Sequence, residues 1–438
     1  MTSLNIGKKN SKVLIYYLMW ILVYIAWGYL NIPLNSVVCL LVWAAIIVPT
    51  FFLDTTIFLV VFSTFYLLAR YNYSSVYLPT NIYTYVGTYI AFIIIRGKEL
   101  KGKINPLIMA LFLITLFRNF FDSAEIIDAS LCFLLLIMFI HTGNLSSKET
   151  TTLFSWAFMS AGVALSIYHI IFGDTTGMQS WREGELVDRY AFYDINYGGS
   201  IIALCICMVL IYLFNFEKKS NLFRMFAISS VVLMSVSLIL NASRASILAV
   251  VFCLVLLILN SKAKIYTKLF AVIVAVLFAF VVSREGVLDY LVFRFTSDDG
   301  TGGSRTYIWQ HKLYFFSANS DIIHFLFGYG YDGGRNISGG IGVRSIAFHN
   351  DFLAFLCEYG FIGFVLFSLF FLYPLAKSIK GNRLAVIAGL LSLFVITFTL
   401  EPFAAGRLPF FSYWYFLYAL GKKPLTVTCI ESQKITKR

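Results

Sequence analysis

From Phe327 to Phe364 the chain reads FGYGYDGGRNISGGIGVRSIAFHNDFLAFLCEYGFIGF. Its first half is polar and glycine-rich and carries Arg335 and Arg344; from His349-Asn350 onward it turns apolar. That second half predicts an unbroken apolar helix running to about residue 373. A histidine is thereby set where a watery loop enters a hydrophobic layer. The layer is a bilayer, because the apolar half of this stretch is repeated along almost the whole chain.

Over 438 residues the sequence is 59% hydrophobic, 18% aromatic and 13% charged. Soluble domains carry roughly 25% charged residues. Apolar runs recur at about 13–30, 34–53, 56–69, 80–95, 105–121, 124–141, 151–172, 198–214, 224–241, 244–261, 265–282, 349–373, 384–400 and 407–420. They predict an all-α, polytopic helical bundle of about 14 transmembrane helices, or 12 if the short runs 56–69 and 407–420 do not span. The net charge of +12 does not point to nucleic acid, since Lys and Arg sit in short clusters between apolar runs instead of forming a stripe. The first run lacks a small-residue cleavage site after it, so no cleavable signal is expected.

The clusters give an orientation. Lys8, Lys9 and Lys12 precede the first run, and Arg96 to Lys103, Lys148, Lys218-Lys219, Lys262 to Lys268, Lys377 to Arg383 and Lys422 onward all fall on the same side of the predicted layer. That side is cytoplasmic by the positive-inside rule, and it holds both termini. The expected organisation is N-terminal transmembrane helices over 1–172, an outer loop at 173–197, central helices over 198–282, a large outer loop carrying short helices at 283–348, C-terminal helices over 349–420 and a cytoplasmic tail at 421–438. The large loop holds six Lys/Arg against six Asp/Glu, and a loop this long crosses regardless of its charge. Within it, SRTYIWQHKLYFF (304–316) predicts an interfacial helix.

Candidate chemistry gathers on the outer side. Arg244 starts an apolar run, Arg305 starts the interfacial helix, and Arg182, Arg189, Arg335 and Arg344 lie in the outer loops. Each is by itself an ordinary snorkelling or solvated cation. Together they offer planar, permanently charged forks suited to phosphate. His349 is the sharpest candidate, because an imidazole of ordinary pKa near ~6.5 serves as a general base at neutral pH; Asp188, Asp194 and Glu358 are alternative bases. Glu401 and Arg407 read as a structural ion pair beside Pro402. No phosphate loop, zinc-protease motif, nucleophile elbow or Cys/His metal spacing is present in the sequence, so neither metal nor cofactor is expected. Charged residues inside the runs are few, which weighs against an ion-coupled carrier.

His349-Asn350 followed after nine residues by Gly360-x-x-Gly363 resembles the pattern of the bacterial O-antigen polymerase and O-antigen ligase superfamily. Arg244-x-x-x-Leu248 at a helix start, Ser304-Arg305 in the large loop, and Arg189 followed by an Asn196-containing turn are similar to that family as well. Phe364 stands where ligases often carry Thr. The resemblance spans about residues 173–375 and implies a glycosyltransferase of the bacterial inner membrane with its active site facing the periplasm. Its substrates would be undecaprenyl-diphosphate-linked oligosaccharides, as donor and acceptor, within the membrane lipid. It implies Arg244 and Arg305 on the diphosphate, His349 as catalytic base, and Arg189, Arg335, Arg344, Asn196 and Asn350 as substrate-binding residues. A flippase and a chain-length regulator are the protein partners it suggests. The polymerase reading is favoured, with the ligase as alternative and a flippase as the reading from another class.

Overall fold

The computed structural model describes scattered helical residues between 87 and 95, then 105–122, 128–142, 148–172, 180–182, 185–187, 195–215, 221–241, 243–260, 305–330, 334, 347–381 and 383–422. The expected spans at 13–30, 34–53, 56–69 and 265–282 lie outside these residues, as do Arg189, Arg335 and Arg344.

The described residues form α1 (Pro106–Asp122), α2 (Asp128–Thr142), α3 (Lys148–Phe172), α4 (Ile195–Asn215), α5 (Asn221–Asn241), α6 (Arg244–Asn260), α7 (Arg305–Asn319), α8 (Ile322–Phe327), α9 (Asp351–Lys380), α10 (Leu384–Thr399) and α11 (Leu408–Lys422). One departure from helix occurs among them. The strands β1 (Ser180–Arg182) and β2 (Glu185–Val187) pair antiparallel between α3 and α4. Among the described residues, four helices are long and apolar enough to cross a membrane, over Phe154–Ile171, Asn196–Phe214, Arg224–Asn241 and Asp351–Lys380; Pro106–Arg118, Arg244–Leu259 and Leu384–Thr399 are shorter apolar helices. The protein is a multi-span membrane protein.

Local chemistry starts these helices where the hydropathy changes. Pro106 opens α1, where its missing N–H costs nothing, and Asn105 accepts a hydrogen bond from the Leu107 amide (3.0 Å). Ser243 precedes Arg244; its carbonyl accepts from the Ile247 amide (3.0 Å), and its hydroxyl meets that of Ser246 (2.7 Å). Asn350 caps α9 by accepting from the Leu353 amide (3.1 Å).

The hub is α4, buried from Ile201 to Ile211 and packed by α3, α5, α6, α10 and α11. Beside it an aromatic core joins α2, α9 and α11. Phe355 stacks on Phe367 (4.1 Å between centroids), Phe370 on Trp414 (3.9 Å), and Phe133 meets Phe411 edge-on (4.9 Å). By contrast α5 and the second half of α9 expose apolar side chains, as lipid-facing helices do.

The predicted unbroken helix after His349 is broken. Gly360 has φ 71 and ψ −173 inside α9, a conformation open in practice to glycine alone. The cause is a close crossing. Gly328, at the end of α8 with φ 79, lies against the Glu358–Gly360 backbone, while Gly360 lies against Leu326 and Phe327. A Cβ on either glycine would come within 2.4 Å of the other segment's backbone. The amide of Tyr329 donates to the Cys357 carbonyl (2.9 Å), so a backbone acceptor beside the break is satisfied from outside the helix.

Candidate functional site

The two ends of the bundle differ in chemistry. One end gathers the starts of α4, α6, α9 and α11, the end of α10, and α7. Ser200 of α4 meets Ser246 of α6 (3.0 Å), and the Asp351 amide of α9 donates to Leu400 at the end of α10 (3.1 Å). Arg407, just before α11, lies over the Tyr197 ring of α4 (5.0 Å). The Trp309 indole of α7 donates to the Phe348 carbonyl (2.8 Å). The opposite end collects Lys377, Lys380, Arg383 and Lys422, with Arg383 donating to the Leu420 carbonyl (3.4 Å).

His349 and its neighbours are built into the first end. Phe348 is fully buried and fixed on both sides of its backbone: its amide donates to a Glu401 carboxylate oxygen (2.9 Å) and its carbonyl accepts from Trp309. His349 follows with φ 51, the only left-handed non-glycine among the described residues, and is half-buried. A non-glycine held at positive φ is a strained position that the surroundings must enforce. Next, Asp351 turns its buried carboxylate onto the loop between α10 and α11, accepting from the amides of Phe403 (3.0 Å) and Ala404 (2.9 Å). Two buried amides of that loop thereby find an acceptor.

Of the residues read from the sequence, Arg244, Arg305, His349, Asn350 and Asn196 come to this end. Arg244 and Arg305 are the first residues of α6 and α7, and both are half-buried. Arg305 stands one turn before Trp309, so α7 links it to the Phe348–His349 peptide. Asn196 lies in the first turn of α4, where a turn was expected, and Asn350 is engaged as a helix cap. Glu401 accepts from the Phe348 amide and Arg407 lies over the Tyr197 ring, so both residues sit at this end. Gly334, next in sequence to Arg335, packs on Glu358.

Three features were not read from the sequence. Lys312 is fully buried and lies under the Phe348 ring (5.1 Å). Its signal was an i, i+4, i+8 stripe of Ile308, Lys312 and Phe316 on α7. Trp309, on the helix predicted to be interfacial, donates to the site peptide. Asp321 and His324 pair on α8 (2.8 Å) with His324 stacked on Tyr329 (4.4 Å). The backbone and ring N–H groups of His324 hold the Asp321 carboxyl below the usual aspartate range.

Fold and site define a class: a helical membrane protein with arginines, a histidine and buried carboxylates at one end of the bundle. Residues 229–368 match the family model described as O-Antigen ligase, a segment that contains Arg244, Arg305, His349 and Gly360. The match supports the O-antigen ligase and polymerase superfamily. No curated protein matches the chain.

Proposed function

We propose that the protein is a surface-polysaccharide polymerase, transferring a growing undecaprenyl-diphosphate-linked glycan onto the next lipid-linked repeat unit. The observation that carries this reading is the enforced left-handed His349, held between α7 and the α10–α11 loop at the bundle end that also holds Arg244 and Arg305. The acceptor hydroxyl oxygen attacks the anomeric carbon of the donor glycan. The carbon–oxygen bond to the diphosphate breaks, and undecaprenyl diphosphate leaves with the bonding electrons. An imidazole nitrogen of His349 takes the hydroxyl proton and releases it to water, a role worth typically ~10²–10⁴-fold. Arg244 and Arg305 stabilise the charge that develops on the diphosphate, as preorganised cations do. Arg189, Arg335 and Arg344 assist from the outer loops.

The site end is the periplasmic one in this reading, because the lysines collect at the other end. The inner membrane is the location and both termini are cytoplasmic. Ligase action on lipid A-core is the second reading, favoured by the description of the matched family model.

The test is glycan length in a cell lacking the protein, complemented with wild type or with His349→Ala at equal membrane abundance. A polymerase restores a ladder of lengths in wild type, and the variant leaves single repeat units. Long lipid-linked glycan that never reaches the core in the variant identifies a ligase. A variant equal to wild type removes His349 from the chemistry.

A further inference from the structure

We propose that α8 lies in the bilayer, with Ile322, Ile323, Phe325 and Phe327 against the acyl chains of the leaflet at the site end, a contact independent of the reaction proposed above. Hydropathy alone places residues 283–348 in a loop outside the membrane, with only the helix near 304–316 at its surface. Yet α8 is apolar at every position except His324, and none of its residues is buried. Ile322 is 70% exposed and Ile323 61%, and Phe325 and Phe327 are exposed beside them. A contiguous apolar patch of this kind marks a surface that has an apolar partner. On α7 the exposed face is mixed instead, with Thr306, Gln310 and Ser317 among Tyr307, Leu313 and Tyr314.

Continuity and depth identify the partner. The Phe325 ring stacks nearly parallel on Phe361 (5.7 Å between centroids, 11°). Phe361 opens the exposed stripe of α9 that continues through Val365, Leu369 and Leu372, so the α8 patch extends the lipid-facing surface of that helix. Phe361 also stands at the right height. From Gly360 to Lys377, α9 rises roughly 26 Å at about 1.5 Å per residue, against a hydrocarbon layer about 30 Å thick. With the lysines at one boundary, α8 meets α9 near the other. The exposed Asp321, which caps α8 and pairs with His324, then falls at the headgroups, where a short helix with a polar start and an apolar body settles. A protein partner seated on this patch would have to cover Phe361 and the α9 stripe within the bilayer as well. On its other side α8 ends at Gly328, whose backbone meets the Glu358–Gly360 segment, and Tyr329 donates to Cys357. Lipid contact thus holds the end of the loop against the break in α9.

The experiment places a nitroxide on Ile322→Cys, Ile323→Cys or Phe327→Cys in the full-length protein reconstituted in lipid nanodiscs. Collision with oxygen, which concentrates in hydrocarbon, is compared with collision with a water-soluble nickel chelate. Leu369→Cys on the exposed stripe and Lys380→Cys at the lysine end are the lipid and water references, and unmutated protein gives the background labelling of the natural cysteines. Thermal unfolding identifies any label that disturbs the fold, and three positions on α8 allow such a label to be set aside. The expected result is oxygen access above nickel access on α8, with the sign found at Leu369 and opposite to that at Lys380. Nickel access above oxygen access on α8 overturns the proposal, because the helix then lies in water. Low access to both reagents overturns it too, because protein then covers the patch, whether from this chain or from a second copy.

Discussion

The two halves of α9 are one helix by sequence and two by environment. Before Gly360, Asp351 and Glu358 are buried among Leu353, Ala354, Phe355, Cys357 and Tyr359. Beyond it, Phe361, Val365, Leu369, Leu372, Tyr373 and Ile379 stand exposed along the outer stripe, against a buried stripe of Phe367, Phe370 and Phe371. The first half is surrounded by protein and bears the site; the second faces lipid on one side and serves as an anchor. Between the break and Lys377 the helix carries no charge, whereas before it Asp351 and Glu358 are enclosed by protein.

That contrast is open to attack by substitution. The largest stability loss is expected for Phe367→Ala, because Phe367 stacks on Phe355 and so joins the halves across the break; a cost of about 3–5 kcal/mol is expected in steric-trapping unfolding. Gly360→Ala would place a Cβ 2.4 Å from the Leu326 carbonyl carbon at positive φ, and a cost of about 1–3 kcal/mol or more should appear as lowered membrane abundance. Abundance equal to wild type would show that α9 can run straight. Asp351→Ala removes the acceptor and leaves the Phe403 and Ala404 amides buried and unpaired, and should cost about 1–3 kcal/mol by the same unfolding measurement. In the second half, Leu369→Ala should stay within about 0.5 kcal/mol; a larger cost would mean that the exposed stripe is covered by something other than lipid.

The smallest effect is a pH dependence in α8. Asp321 caps this helix and its carboxyl is held below the ordinary aspartate pKa. A depressed pKa gives stability that is present above the unfolded value of about 3.9 and lost as pH falls through the lower folded value. The protection factors of the α8 amides, which remove the intrinsic pH dependence of exchange, should therefore fall on acidification in wild type. In Asp321→Asn they should not change with pH over that range.

Much of this arrangement was legible in the sequence for a local reason. Arg244, Arg305 and His349 each stand where polar chain gives way to an apolar run, and the run starts the helix that fixes the residue's place. The break was not legible. Gly360-x-x-Gly363 in an apolar stretch reads as small residues tolerated in a helix, and what bends the chain there is the distant Gly328. Lys312 was hidden likewise, since a lysine on an interfacial helix is ordinarily solvated and only the docking of α7 on α9 buries it. Tertiary contact supplied what spacing could not.

The Tyr329 bond to the Cys357 carbonyl bears on the order of biosynthesis. A bent helix in hydrocarbon needs an outside donor for its exposed backbone, since no water is there to serve. Tyr329 precedes α9 in the chain, so the donor is synthesised and delivered to the membrane before the helix that it completes. The nascent α9 therefore meets its template on arrival and can bend without leaving the Cys357 carbonyl unpaired.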